Sequence, residues 1–266
     1  MIVDKIRTYV NDQLSTDEKS KCNIYGLWDI TCLFNPNNER YFNYNFLIAK
    51  TIGQGCAYLT KKPRRTYLEH IIGKNYFDLN NIDLGIEVAI LDSIIEHVGH
   101  KPSKSYELKG SSLQKSIERA EIVVSLAETF LKNCTIEKEY DVINIGVVNN
   151  FLKLLFEKKY KIIGSDFDKR IIDKKLFSEI DIIDGNRTIE YVKKSKLAII
   201  TGMTVTTNTL DEIIKCAKEN TTKTIMFAET GYNLAQFYLN EGIDVVVSEP
   251  FPFYIFDGNN QINIFM

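Results

Sequence analysis

Four acids in the second half of the chain, Asp166, Asp168, Glu229 and Glu249, follow short apolar runs. Carboxylates that converge from separate strand ends can supply hard oxygen ligands to a divalent metal ion, or act as general acid and base. A second group is polar but uncharged. The stretch IITGMTVTTNTLDE, Ile199 to Glu212, breaks from an apolar run into threonines and returns as an amphipathic pattern. Thr209 with Glu212 three residues later reads as a capping box at a helix start, with Thr207 or Asn208 as alternative caps worth roughly 1 kcal/mol. Capping does not require Thr201, Gly202 and Thr204. A glycine just beyond a strand lets backbone approach a ligand, and flanking hydroxyls bind carboxylate, phosphate or ribose oxygens. The expected ligand-binding set is therefore Thr201, Gly202, Thr204, Asn208, Thr209, Glu229, Thr230, Asn149 and Asp166. The expected metal set is Asp166, Asp168, Glu229 and Glu249.

The elements that must position these residues alternate regularly from Asp141 onward. DVINIGVV, KIIGSDFD, KLAIITG, KTIMFAET and DVVVSEP read as strands, and helical patterns such as NFLKLLFEKKY, TLDEIIKCAKEN and NLAQFYLNEG lie between them. RIIDKKLF and DIIDG form a less regular passage. Strands separated by helices on short connections run parallel, so residues 137–266 are expected to form a Rossmann-like, doubly wound α/β domain. The tail FYIFDGNNQINIFM reads as a closing hairpin around Asp257-Gly258. Residues 1–136 read as a smaller α+β domain, with the boundary between Asn133 and Tyr140. IYGLWDITCLF and RYFNYNFLIAKT form an antiparallel pair about the turn NPNNE, GQGCAYL adds a third strand, and two long amphipathic helices follow. Trp28, the sole tryptophan, sits in an alternating strand and reads as core. In an open parallel sheet, ligands bind beyond the carboxyl ends of the strands, where the polar clusters fall.

Composition narrows the function. The 266 residues are 44% apolar and 26% charged with a formal charge of −2, and no basic run invites nucleic acid or an anionic membrane. No apolar run approaches the ~20 residues of a membrane-spanning helix, so a cytoplasmic protein with small-molecule or metal partners is expected. A further alternative is a non-catalytic assembly or regulatory protein, a homodimer with the helices of residues 80–133 as its oligomer surface. Five scattered cysteines without a CxxC pair argue against a disulfide framework or zinc knuckle and read as reduced thiols. His97 and His100, three apart near a helix end, read as partners of a helix C-terminus. The alternative cofactor is S-adenosylmethionine or a nucleotide. Asp166 stands where a ribose-binding acid would lie, but INIGVVNN has one glycine where the dinucleotide fingerprint has three.

The segments INIG, AIITGMTVTTNTLDEII and TIMFAETGYNLAQFYLNEGIDVVV resemble the heavy-metal chelation domain family, a Rossmann-like domain of unknown function. In that family a strand runs into Thr-Gly, a further threonine and an Asn-x-Thr element, which here are Thr201, Gly202, Thr204, Asn208 and Thr209. Where the family has Gly-Pro-Ser/Thr, this chain has Ala228-Glu229-Thr230, and only Thr230 matches. The resemblance implies a first domain similar to the N-terminal domain of enolase, with GQGCAYLT as its Gly-x-Gly bend and IDLGIEVAILDSII as its small-residue helix. It also implies metal handling, although few soft ligands stand at the matching positions.

Overall fold

A computed structural model describes residues 1–34, 42–172 and 179–266. In chain order the first part holds α1 (Ile2–Gln13), α2 (Thr16–Ser20), β1 (Gly26–Phe34), β2 (Phe42–Lys50), β3 (Gln54–Tyr58), α3 (Arg65–Ile71), α4 (Leu84–Ile95), β4 (Lys104–Leu108) and α5 (Ser112–Lys132). The alternating part follows as β5 (Tyr140–Ile145), α6 (Asn149–Glu157), β6 (Ile162–Asp166), α7 (Lys169–Ile172), β7 (Ile182–Asp184), α8 (Thr188–Lys193), β8 (Ser195–Thr201), α9 (Met203–Thr206), α10 (Leu210–Glu219), β9 (Lys223–Ala228), α11 (Ala235–Glu241), β10 (Val245–Ser248) and β11 (Asn260–Phe265). The fold is α/β, as the alternation requires. The expected NPNNE turn and much of RIIDKKLF lie outside the described residues.

Two sheets result. β1, β2 and β3 form an antiparallel meander. The larger sheet runs β4-β11-β10-β9-β8-β5-β6-β7, and its six strands from β10 to β7 are parallel. Alternate residues of these strands point to opposite faces. Ile143, Ala198, Ile200 and Met226 pack beside α10 and α11, whereas Val142, Leu197, Ile199 and Ile225 pack beside α5 and α6. Helices on both faces explain why the strands read as continuous apolar runs.

Three expectations need correcting. The tail is not a hairpin: only Asn260–Phe265 is a strand, and it lies between β10 and β4 rather than at an edge. The outermost strand there is β4, a segment the sequence pattern did not mark, because KSYEL alternates weakly and keeps one fully buried residue, Leu108. Thus β4, and α5 which packs on α6, precede residue 136 yet belong to the larger sheet's layer. Trp28 is not core. It is 51% exposed at one end of the row Trp28, Ile30, Cys32, outside the cluster of Phe46, Ile48, Cys56, Tyr232 and Phe253 on which Ile30 and Cys32 pack.

The small sheet is fastened to the larger layer through α4, which is buried almost all round, polar residues included. Gly55 makes this approach feasible, since a Cβ there would overlap the α4 backbone at Ser93 and Ala89. The Asp92 carboxylate accepts from Cys56 N at 2.9 Å and from Asn233 N at 2.8 Å, so one buried side chain bridges β3 and the segment after β9. Gly231 N donates to Cys56 O, Tyr58 N donates to the Thr230 hydroxyl, and Tyr232 donates its phenol to Gln54 O. Burial pushes the Asp92 carboxyl well above the ordinary range, and the amides of Cys56 and Asn233 oppose that shift. Asp92→Ala is expected to cost roughly 3 kcal/mol, because two buried amides lose their acceptor. Asp92→Asn keeps one acceptor and should fall between. Urea unfolding measures both, and an unmoved midpoint for Asp92→Ala would show that this bridge does not hold the sheets together.

Candidate functional site

Counted in chain order, the parallel strands run β7-β6-β5-β8-β9-β10, so the direction of winding reverses between β5 and β8. Loops diverge at such a point and leave a crevice beyond the strand ends. Two loops border it. The first follows β5, where Gly146 takes φ +73° and a Cβ would overlap the Thr201 hydroxyl; glycine is needed both for the backbone and for the space. The second, Thr201 to Met203, follows β8 and runs straight into α9.

A cavity of about 210 Å³ occupies this crevice. Its floor is made by Gly146 to Val148, Thr201, Gly202, Met203, Phe227, Glu229 and Thr230. One wall comes from the start of α5 and of α6, including Ser116, Arg119, Asn149 and Asn150, and another from Phe253, Tyr254 and Ile255. The roof is one face of the small sheet. Its register sets Cys32 opposite Tyr44 and Phe46 opposite Tyr58, and these side chains, with Cys56, line the cavity from above.

At the floor a buried ion cluster replaces the expected convergence of acids. Arg119, nearly buried on α5, donates from Nη1 to Glu229 Oε1 at 2.9 Å and to Glu249 Oε2 at 3.0 Å. Its guanidinium lies 3.7 Å from the Tyr254 ring centre and 5.1 Å from that of Phe227, a cation held between aromatic faces. Glu249, with no exposed surface, also accepts from Tyr254 N and from the Asn260 amide. Glu229 differs, because 35% of its side chain remains open and it lines the cavity. Burial and then the facing Glu249 carboxylate push Glu229 up to about 7, against the pull of Arg119.

The expected site residues divide accordingly. Thr201, Gly202, Glu229, Thr230 and Asn149 line the cavity, and Thr204, Asn208, Thr209, Asp166, Asp168 and Glu249 do not. Thr204 donates its hydroxyl to Thr201 O at 2.8 Å and closes the turn. Asn208 is exposed in the left-handed region, φ +57°. That residue turns the chain so that Thr209 already has near-helical angles; its hydroxyl meets Thr207 and no capping box forms. Asp166 accepts from Val147 N and Asp168 N, both at 2.9 Å, and so ties the β5 and β6 loops together. Asp168 pairs with Arg170. The four acids thus form two separate groups, Asp166 with Asp168 and Glu229 with Glu249, each with cationic or amide partners. They do not fit a shared metal ion, and among the described residues no group of three or more His, Cys, Asp or Glu side chains could hold one. His97 pairs with Glu18 and His100 with Tyr9, away from any such group.

Arg119 and the aromatic roof are what reading the sequence missed. In SLQKSIERAEIVV, Lys115 and Arg119 stand four apart on the stripe that continues into Ala120 and Val123, and cations on the apolar face of a helix were the available signal.

Solved structures of two DUF364-family proteins of unknown function share this architecture. One, from Pyrococcus horikoshii, is 12% identical with a TM-score of 0.52, and the match covers 94% of this chain and 87% of that one. The other, from Desulfitobacterium hafniense, is 11% identical with a TM-score of 0.54, covering 94% and 85%. No protein-family model and no curated protein matches the chain. Among the described residues no helix is long and apolar enough to cross a membrane.

The Glu229 proton has a consequence for stability. The folded protein holds it up to about pH 7, whereas the unfolded chain releases it near the ordinary 4.5. Its contribution is therefore complete below about pH 4.5 and lost as pH rises through 7. Against Glu229→Gln, which cannot ionise, the wild type should lose relative stability between pH 5 and pH 8. Denaturant curves for both proteins across that range test this, and a constant difference would refute it.

Proposed function

We propose that the chain is a small-molecule-binding protein whose ligand enters the cavity between the small sheet and the carboxyl ends of β5, β8 and β9. One observation carries the reading: the cavity sits at the reversal between β5 and β8, the place where open α/β sheets bind ligands, and a second sheet covers it. Its volume is below the ~300–1,000 Å³ of sites for drug-sized ligands, which favours a compact molecule over an adenosyl cofactor. We also place the chain as a distant relative of the heavy-metal chelation domain family. The shared DUF364 architecture and the Thr201-Gly202 turn support that placement.

Chelation itself has weaker support, because the two carboxylates nearest the cavity both bond to Arg119 and Glu249 has no exposed surface. The adenosyl reading meets a similar obstacle at the loop before α6. Gly146 N, Val147 N and Val148 N already donate to Ser165 O, Asp166 and Asn144, so few amides face outward to cradle a phosphate.

Leu113 offers a test at the mouth. It lines the cavity yet is 54% exposed, so a larger side chain can obstruct entry with little effect on folding. A ligand present at 100 times its Kd should raise the stability of the wild type by about 2.7 kcal/mol. Thermal-shift screening of a metabolite library against wild type and Leu113→Trp should give hits with the first that are lost with the second. Hits that stabilise both proteins equally would place the binding elsewhere.

A further inference from the structure

We propose that this cavity selects a nitrogen cation, a protonated amine or amidine on a flat apolar body, and that Glu229 is the carboxylate that receives it. The inference rests on the cavity reading and adds the chemical class of the ligand. The charges that line the cavity, among the described residues, are one guanidinium and one carboxylate, Arg119 and Glu229. They are not equally available. Arg119 gives Nη1 to two carboxylates at once, and its plane is covered by Tyr254 and Phe227. The second of those carboxylates, Glu249, is closed off from the cavity and satisfied by Arg119, Tyr254 N and Asn260.

Two carboxylates therefore share one cation, and above about pH 7, once Glu229 has released its proton, the uncompensated negative charge resides where surface remains, on Glu229. An anion entering here would meet that charge in a confined, poorly screened space. A cation would complete the balance, and a charge-assisted hydrogen bond to a carboxylate is among the stronger single contacts a pocket can offer. The walls agree with this sign. Tyr44, Phe46, Tyr58 and Phe253 present aromatic surface to the cavity, and ring faces attract a cation. Arg119 stacked at 3.7 Å on Tyr254 is an example of that contact within the same cavity. The amides before α6, which would have favoured an anion, are held by Asp166 and Asn144.

The experiment uses three probes of one shape and different charge: benzamidine, benzamide and benzoate. Each is titrated into the full chain by ligand-observed NMR or calorimetry at pH 8, with Leu113→Trp as the control for the location of binding. Benzamidine should bind at least about tenfold more tightly than benzoate, the effect of one charge-assisted hydrogen bond. Glu229→Gln should reduce benzamidine to the affinity of benzamide and leave benzamide unchanged. Equal binding of all three probes, or a preference for benzoate, would overturn the proposal while leaving the cavity reading intact if Leu113→Trp still blocks them. A benzamidine preference that survives in Glu229→Gln would overturn the role of Glu229. Failure of every probe to bind would remove the cavity reading along with the proposal. Because the charge series is run first on the wild type, the outcome does not depend on the variant folding.

Discussion

The arrangement of the molecule depends on a buried seam between β3 and the segment that follows β9. The Asp92 carboxylate holds the amides of Cys56 and Asn233, and Gly231 N and the Thr230 hydroxyl meet the backbone of β3 from the other side. Each of these groups would be costly to leave unpaired in the interior. Together they permit few positions of the small sheet over the larger one. The cavity is a consequence of this attachment, because the row Tyr44, Phe46, Tyr58 becomes a roof only when β3 lies along Thr230 and Gly231. Glycine at position 55 is part of the same constraint, since it lets β3 rest against α4 at the point where Asp92 reaches across.

The electrostatics of the floor follow from a helix that carries polar side chains on its buried face. Burial works against the Arg119 charge, yet the carboxylates of Glu249 and Glu229 hold it and keep the guanidinium charged. Removing one member of such a cluster leaves a buried charge without its counterpart, which is why clusters of this kind act as units. Glu249 completes its bonding within the protein and serves as structure. Glu229, at the open side of the same cluster, carries the charge that a ligand would meet.

The legibility of the chain was uneven for physical reasons. Parallel strands buried on both faces produce apolar runs that alternate with amphipathic helices, so β5, β6, β8, β9 and β10, and the helices α6, α10 and α11, could be read from pattern alone. The ends of those strands also share one neighbourhood: Thr201, Gly202, Glu229, Thr230 and Asn149 line the same cavity. Local sequence could not say which polar residues point into a crevice and which fold back on their own loop. Thr204 and Thr209 are of the same type as Thr201, and a single left-handed residue, Asn208, decides how Thr209 is used. The tail misled because Asp257-Gly258 is a hairpin signal that here serves a different purpose, as a loop whose carbonyl at Gly258 accepts from Lys115 of α5. Arg119 was hidden because its partners lie more than a hundred residues away.

The region beyond β5 adds a last step. In the dinucleotide-binding version of this topology, the turn after the first strand is open so that backbone amides can receive a pyrophosphate, and an acid at the end of the second strand is left for ribose. Here the two features have been joined to each other: the acid, Asp166, receives Val147 N, and Asn144 receives Val148 N. A phosphate brought to this turn would have to displace a carboxylate from the amide that holds it, and would meet that carboxylate's charge as it did so. The position in the fold that usually recognises an anion has thereby been made self-sufficient. What remains accessible at the reversal point is the other side of the crevice, where aromatic rings and the Glu229 carboxylate line one cavity, and the proposed complementarity there is to a ligand of the opposite sign.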